Sequence, residues 1–168
     1  MTDEDHEASQ RDVESALQLA LQFHAGQRDK AGQAYVLHLL RVMMTGQTPE
    51  AMQVGVLHDL LEDTPATRAD MERAGLSERV MQAVERLTKP EALDYADYIV
   101  HVAENALARE VKLADLQDNY ALSRVAYRAE HTQEDRRRVQ RYILAHQFLT
   151  RQIEEAEFLE RMKQVEAS

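Results

Sequence analysis

The sequence predicts an all-α protein, and three observations support that prediction. The chain is rich in Ala, Leu, Glu, Gln, Arg and Met, which are the residues with high helix propensity. Its 168 residues include 5 Gly and 3 Pro, so few positions would interrupt a helix. No stretch alternates apolar and polar residues for long enough to indicate a strand. Because the length is that of one domain and no linker divides it, we expect a single helical domain over residues 1–168.

The first part of the chain is divided by its glycines. A helix is expected over about residues 12–24, where apolar residues recur at helical spacing, and it ends at Gly26. A polar, charged loop over residues 27–33 follows, of the kind that places side chains over a site. Apolar helical spacing resumes over residues 35–44, so a second helix is expected there.

The third helix has the clearest start. Thr48 is a typical N-cap, and Pro49 suits the first helical position, where its missing N–H is not needed. This helix is expected to run through residues 56–64 and to end there. Thr67, followed three residues later by Asp70, is typical of a capping box and indicates a new helix.

Further helices are predicted in the second half of the chain. Ser77 caps a helix over residues 78–87, and Asp94 caps another whose inward face reaches residue 107. Residues 132–163 permit helix throughout, which predicts one long C-terminal helix of roughly 45 Å at about 1.5 Å per residue. Such a helix is longer than a small domain, so we expect its end to pack on a second copy of the chain in a homodimer.

Composition and charge exclude several classes of function. The chain contains no Cys, which rules out disulfides, thiolate metal ligands and a cysteine nucleophile. Its formal net charge of −10 argues against a general nucleic-acid binder, because such a protein needs a basic surface. No apolar run approaches the length of a membrane span, and the polar opening is unlike a signal peptide. We therefore expect a cytoplasmic protein that binds neither membranes nor nucleic acids.

The greatest density of reactive groups lies within residues 56–64. His58, Asp59, Glu62 and Asp63 fall within six consecutive residues inside an apolar frame. On a continuous helix His58 would lie one turn before Glu62, and Asp59 one turn before Asp63. Carboxylates so close would repel one another unless a cation lay between them, so the pattern predicts a metal site. A solvated helix end is the alternative explanation for Glu62 and Asp63.

Two more residues are candidates for the same site. His38 and Asp115 each lie in a helical, apolar context, where a polar side chain needs a partner. With His58 and Asp59 they would form an octahedral site of two imidazoles and two carboxylates. Such ligands favour manganese, iron or magnesium over structural zinc. A hydrogen-bonded core network without a metal is the alternative.

Short motifs that combine these residues follow one another along the chain: His24-Ala-Gly26-Gln27, Lys30-Ala-Gly32, Tyr35-Val-Leu-His38, Leu57-His58-Asp59-Leu-Leu-Glu62-Asp63-Thr64, Leu87-Thr88-Lys89 and Val111-Lys112-Leu113-Ala114-Asp115-Leu-Gln-Asp-Asn119. In this order and spacing they resemble the hydrolase domain of the RelA/SpoT homologues, and above all the small stand-alone alarmone hydrolases. The resemblance covers about residues 13–122. It implies an HD-type helical bundle and a Mn(II)-dependent enzyme that removes pyrophosphate from the ribose 3′ position of ppGpp or pppGpp.

The resemblance also implies roles for individual residues. One Mn(II) ion, or another divalent transition metal, would be held by the residues that match the ligands of the family: His38, His58, Asp59 and Asp115. The acidic pair that orients the attacking water corresponds to Glu62 and Asp63. The nucleotide-contacting positions of the family correspond to the loop around Lys30, to Tyr35 and to Asn119. The positive charge that the substrate phosphates need is expected from Lys30, Arg28 and Lys112.

One departure from the family pattern concerns the substrate. Many alarmone hydrolases carry an Arg-Lys pair in the loop after the Gly-Gln, with the arginine against guanine, and here the pair is Asp29-Lys30. This leaves a second hypothesis, an HD phosphohydrolase that acts on another nucleotide or on a phosphorylated cofactor such as NADPH. A third hypothesis is a non-catalytic nucleotide sensor, which predicts damage to the catalytic residues, and none is visible. We see no synthetase region in the sequence, and we expect an enzyme that only degrades.

Overall fold

The computed structural model describes residues 3–29, 32–120 and 132–167. In these ranges the regular structure is helical, apart from an isolated antiparallel bridge between Arg28 and Ala34. The helices are α1 (Asp3–Phe23), α2 (Val36–Thr45), α3 (Pro49–Leu57), α4 (Leu60–Asp63), α5 (Arg68–Arg73), α6 (Glu78–Leu87), α7 (Tyr95–Ala103), α8 (Ala106–Tyr120), α9 (Thr132–Leu149) and α10 (Glu155–Glu166). The prediction of an all-α fold is confirmed. Across the described ranges, no helix combines the length and apolar character needed to cross a membrane.

Helix α3 lies at the centre of the fold. It contacts α1, α2, α6 and α8, and its last four residues, from Val54 to Leu57, are buried. Gly55 allows the close approach of α2, because a Cβ atom there would lie 2.9 Å from the Cα atom of Met43. The packing of α3 therefore places its C-terminal end, and the residues that follow it, inside the protein.

The predicted helix starts are confirmed by cap hydrogen bonds. Three side chains each accept a hydrogen bond from a backbone N–H in the first turn of their helix: Thr48, Ser77 and Asp94. Thr67 forms the predicted capping box with Asp70, whose carboxylate accepts the Thr67 N–H at 2.7 Å. These signals were readable because a cap depends on a few neighbouring residues.

The predicted start of α1 and the predicted end of α7 were wrong. Helix α1 begins at Asp3 and not near residue 12, because the prediction followed apolar spacing while the polar residues before it are themselves helix formers. The chain also breaks between α7 and α8 instead of continuing to residue 107. The break occurs at Asn105, whose Oδ1 atom accepts the N–H groups of Leu107 at 3.0 Å and Ala108 at 2.9 Å and so caps α8.

The single long helix predicted over residues 132–163 is instead a helical hairpin of α9 and α10. The turn contains Arg151, which has a φ of 60° in the left-handed region. The ring of Phe148 stacks on that of Phe158 with 4.7 Å between centroids, and Phe158 is fully buried. Because α10 folds back, the overhanging end that suggested a homodimer is absent from the described part of the chain.

Replacing Arg151 with glycine is expected to raise the free energy of unfolding by about 0.5–1 kcal/mol. A left-handed conformation costs an L-residue about 1–2 kcal/mol, and glycine avoids this cost but loses more entropy on folding. Chemical denaturation of both proteins measures the change. In a continuous helix the same substitution would lower stability by about 1 kcal/mol, so a decrease would contradict the turn.

Candidate metal centre and substrate cleft

The chain turns at His58 and Asp59, between α3 and α4. One continuous helix was predicted here, but α3 ends at Leu57, and Asp59 has φ −102° and ψ 4°. The Nδ1 atom of His58 donates to the Gly55 carbonyl at 2.8 Å, so this side chain competes for an acceptor that the helix backbone would use. The turn brings two consecutive side chains together, with His58 Nε2 2.9 Å from Asp59 Oδ2.

All four residues predicted as metal ligands meet at this turn. The Nε2 atoms of His38 and His58 lie 3.2 Å apart. Asp115 Oδ1 lies 3.4 Å from His38 Nε2 and 3.7 Å from His58 Nε2. Ligand atoms of these three buried residues lie within 4.8 Å of one another. Asp59 Oδ2 adds a second carboxylate, 3.7 Å from His38 Nε2. We call these four residues the metal cluster.

Hydrogen bonds on the far side of each imidazole set the orientation of both rings. His58 Nδ1 must carry a proton, because its partner, the Gly55 carbonyl, can only accept. His38 Nδ1 faces the Asp118 carboxylate at 2.7 Å. In neutral rings both Nε2 atoms then carry lone pairs that point into a space shared with two carboxylates. Such a set repels itself without a cation, so the residues present fit a divalent ion with nitrogen and oxygen ligands.

The pKa shifts in the metal cluster follow from the same charges. Burial opposes a charge on His58, but the Asp59 and Asp115 carboxylates outweigh it and raise the pKa of His58 well above its usual value. Burial likewise opposes ionisation of Asp115. The Lys112 ammonium and the two imidazoles nevertheless hold the pKa of Asp115 well below its usual value. The cluster therefore attracts positive charge, either as a proton or as a metal ion.

Asp118 is a residue that sequence reasoning missed. In addition to its contact with His38, it accepts a hydrogen bond from Arg41 Nε at 2.5 Å, so the carboxylate joins the imidazole to a surface arginine. This contact fixes the ring that would ligate the metal. The available signal was the spacing on α8, where Asp118 lies one turn after Asp115.

A cleft of about 380 Å³ opens beside the metal cluster, within the size range of small-molecule sites. Four of the five predicted substrate contacts line it: Arg28, Tyr35, Lys112 and Asn119. The fifth, Lys30, lies outside the described residues. Tyr95 and Tyr142 also line the cleft; the sequence predicted both as inward-facing helix residues and gave neither a role in the site.

The structure separates the predicted acidic pair. Asp63 lines the cleft, and its Oδ2 atom lies 3.2 Å from the Tyr35 hydroxyl, which also donates to Asp59 Oδ2 at 2.5 Å. Both side chains are exposed, but Glu62 accepts the backbone N–H of Lys89 at 2.9 Å and does not line the cleft. Asp63 is thus linked through one hydroxyl to the metal cluster, whereas Glu62 is held by the segment after α6.

The motif His24-Ala-Gly-Gln27 supports the same wall of the cleft. The buried His24 ring stacks on that of Tyr35 with 5.5 Å between centroids. Its Nδ1 atom lies 2.7 Å from Gln27 Oε1, and Gln27 Nε2 donates to the Asp63 carbonyl at 2.9 Å. The end of α1 therefore holds both Tyr35 and the end of α4 in place.

On the opposite wall, two predicted substrate contacts also bind Asp115. Lys112 Nζ donates to Asp115 Oδ2 at 2.9 Å, and Asn119 Nδ2 donates to Asp115 Oδ1 at 2.5 Å. Burial opposes the charge on Lys112, yet the neighbouring Asp115 carboxylate raises the pKa of Lys112 well above its usual value. Lys112 is therefore a permanent positive charge on the wall of the cleft.

The loop between α1 and α2 is closed by its own residues. Asp29 Oδ1 accepts the Gln33 N–H at 2.9 Å, and Arg28 Nη1 donates to the Gly32 carbonyl at 2.8 Å. Gly32 has a φ of 77°, a conformation that favours glycine. Asp29 thus shapes the loop and also lines the cleft.

No family model matches the chain. Among curated proteins, it is 29% identical over 150 residues to a GTP pyrophosphokinase of Streptomyces coelicolor, covering 81% of this chain and 18% of that protein. It is 33% identical over 121 residues to the guanosine-3′,5′-bis(diphosphate) 3′-pyrophosphohydrolase of Aquifex aeolicus, covering 64% of this chain and 17% of that protein. It is 32% identical over 110 residues to the bifunctional (p)ppGpp synthase/hydrolase SpoT of Escherichia coli, covering 63% of this chain and 15% of that protein. The chain spans less than a fifth of the length of these relatives.

Among solved structures, the chain is similar to a metazoan orthologue of SpoT that is described as hydrolysing ppGpp. The TM-score is 0.58 at 23% identity, and the match covers 84% of this chain and 94% of that chain. At this identity the likeness concerns the fold. The sequence relatives and the fold agree with the motifs: the chain is similar in sequence to RelA/SpoT proteins, and its helical fold is similar to that of the SpoT orthologue.

Proposed function

We propose that the chain is a Mn(II)-dependent phosphohydrolase that removes pyrophosphate from the ribose 3′ position of ppGpp or pppGpp. The observation that carries this proposal is the metal cluster, in which two imidazoles and two carboxylates converge beside a cleft. Lys112 and Asp63 also line this cleft. The name of the Aquifex aeolicus relative, a 3′-pyrophosphohydrolase, supports the choice of substrate.

The metal would be held by the four residues of the cluster, and we propose one ion. Two nitrogen and two oxygen ligands suit Mn(II) or a similar divalent transition ion better than structural zinc. A bound ion would supply positive charge that polarises a phosphoryl oxygen and makes water a stronger nucleophile near neutral pH. The hydrogen bonds from His38 to Asp118 and from His58 to Gly55 keep both Nε2 atoms available as ligands.

Asp63 would act as the base that takes a proton from the attacking water. Asp63 lines the cleft, and its Oδ2 atom lies 3.2 Å from the Tyr35 hydroxyl, whose single proton is donated to Asp59. Burial and the two carboxylates raise the pKa of Tyr35, so this hydroxyl stays a hydrogen-bond donor at neutral pH. Glu62, which binds the Lys89 N–H, would support the end of α4 and not carry the proton itself.

The substrate phosphates would be bound by basic residues of the cleft. Lys112 presents a fixed ammonium on the α8 wall, and Arg28 lies on the opposite loop. Charge of this kind stabilises the negative charge that develops on the attacked phosphate. The role of Lys30 as a further nucleotide contact remains a prediction from the sequence.

Asp29 favours a second candidate function. It lines the cleft at a loop position where the family pattern has an arginine for guanine. An acid at this position suits an HD phosphohydrolase that acts on another nucleotide or on a phosphorylated cofactor such as NADPH. The metal cluster would be the same for both candidate functions, which differ only in the substrate and the leaving group.

A substrate panel tests the proposed function. The purified chain is stripped of metal, reloaded with Mn(II) and incubated with ppGpp, pppGpp, NADPH and other nucleotides, and phosphate and pyrophosphate are assayed separately. We expect pyrophosphate from ppGpp and pppGpp. Release of phosphate from another ester, with both alarmones untouched, would support the second candidate. Retained metal and nucleotide binding with no release from any compound would indicate a sensor.

Substitution of Asp29 is expected to improve the use of guanosine alarmones. Asp29→Asn keeps the oxygen that accepts the Gln33 N–H but removes a negative charge from the cleft. We expect KM for ppGpp to fall about threefold to tenfold, which corresponds to a charge interaction of about 1 kcal/mol. Asp29→Arg should raise activity on ppGpp further. Steady-state kinetics measure both effects, and an unchanged KM in both variants would show that Asp29 does not face the substrate.

A further inference from the structure

We propose that the Tyr95 hydroxyl donates a hydrogen bond to a phosphoryl oxygen of the substrate, and that Tyr95 and Lys112 together form a phosphate subsite. Both side chains line the cleft beside the metal cluster. The inference rests on the proposed function, because it assigns part of the same cleft. It goes beyond that function because no sequence motif includes Tyr95.

The main observation is an unsatisfied hydroxyl. The oxygen of Tyr95 is buried and has no hydrogen-bond partner among the residues that the structure describes. Two tyrosines near it are satisfied: the Tyr35 hydroxyl donates to Asp59, and the Tyr98 hydroxyl donates to the Leu87 carbonyl at 2.5 Å. A buried polar group without a partner destabilises the fold, so it is expected where a ligand supplies the partner.

The surroundings of Tyr95 indicate an anionic partner. Burial is the main cause that raises the pKa of Tyr95, so the hydroxyl keeps its proton at neutral pH and can donate. The Lys112 ammonium lines the same cleft and lies 5.3 Å from the ring centroid of Tyr98, on which Tyr95 packs. A donor hydroxyl beside an ammonium suits an oxygen that only accepts, as phosphoryl oxygens do.

The ring of Tyr95 is held in place. It packs against Tyr98 with 6.2 Å between centroids, and the guanidinium of Arg141 lies 5.7 Å from its centroid. Tyr95 is also the first residue of α7, directly after the capping Asp94. The hydroxyl is therefore preorganised for a ligand, and little conformational entropy is lost when one binds.

Tyr95→Phe tests the subsite, and Tyr98→Phe is the matched control one turn later on α7. The chain is loaded with Mn(II), freed of excess ion, and titrated with inorganic pyrophosphate in a calorimeter. Thermal unfolding of each protein is measured in parallel. For Tyr95→Phe we expect a Kd for pyrophosphate about tenfold higher, as for loss of a hydrogen bond to a charged group, with an unchanged or higher Tm. For Tyr98→Phe we expect a lower Tm, because its hydroxyl donates to the Leu87 carbonyl; its ring contacts Lys112, so this variant is a control for stability and not for Kd.

Several results would overturn the inference. A Kd of Tyr95→Phe within twofold of the wild-type value, or a Tm that falls as in Tyr98→Phe, would show that the hydroxyl has a structural partner instead. Weaker binding of ppGpp with unchanged binding of pyrophosphate would place the hydroxyl on the ribose. If the tenfold effect on pyrophosphate appears but the wild-type chain releases none from ppGpp, the subsite stands and the proposed function fails.

Discussion

Replacing Asp59 with alanine is expected to abolish metal binding and, with it, pyrophosphate release. Asp59 Oδ2 lies 2.9 Å from His58 Nε2, so its loss removes one of the four proposed ligands and one of the two negative charges in the cluster. A metal ion in such a site supplies several kcal/mol of transition-state stabilisation. We therefore expect the rate to fall by at least about 10³-fold, since each tenfold corresponds to about 1.4 kcal/mol.

Metal binding by this variant is measured without turnover. An ion at a hundredfold excess over its Kd stabilises a folded protein by about 2.7 kcal/mol, and chemical denaturation with and without Mn(II) reports this gain. Addition of Mn(II) should raise the free energy of unfolding of the wild-type chain but not that of Asp59→Ala. Asp97→Ala, at an exposed aspartate of α7 away from the cleft, is the control and should keep both the gain and the activity. Metal-dependent stabilisation that survives in Asp59→Ala would remove Asp59 from the ligand set.

Asp63→Asn is expected to lower kcat by about 10²–10⁴-fold, the usual contribution of a general base. The asparagine keeps the shape of the side chain and can still contact the Tyr35 hydroxyl, so the metal-induced gain in stability should persist. Glu62→Gln is the matched variant. Its amide oxygen can still accept the Lys89 N–H, so we expect a loss of less than about tenfold.

Steady-state kinetics and unfolding of both variants distinguish two roles for the acidic pair. A large loss in Asp63→Asn alone agrees with a single base that faces the cleft. Equal large losses would mean that the two acids act together, as the family resemblance implies. A larger loss in Glu62→Gln than in Asp63→Asn would contradict the assignment of Asp63 as the base.

The features that sequence predicted well depend on neighbouring residues. The caps at Thr48, Ser77 and Asp94 were readable because each involves one side chain and the first turn of its helix. The four residues predicted as metal ligands were recognisable as a group because two histidines and two aspartates stand out in apolar segments, and their role as ligands stays a prediction. Their convergence in space, with Nε2 atoms 3.2 Å apart, agrees with that prediction.

The features that sequence missed depend on tertiary packing. Arg151 is a good helix former, yet the contact between Phe148 and Phe158 requires a turn there with a positive φ. The break at His58 arises from a side-chain contact to a carbonyl three residues earlier, which helical periodicity does not reveal. The Tyr95 hydroxyl, which has no hydrogen-bond partner among the described residues, could not be predicted either, because a missing hydrogen bond leaves no pattern in a sequence.

Titration of the metal-free chain with Mn(II) tests the central claim most directly. Bound metal and pyrophosphate released from ppGpp are measured in the same samples, and a chelator is added at the end. We predict that both quantities rise together, that both saturate at one ion per chain, and that the chelator removes both. Full-rate release from chain that holds no ion, or no release from chain that holds one, would contradict the proposed metal-dependent pyrophosphohydrolase.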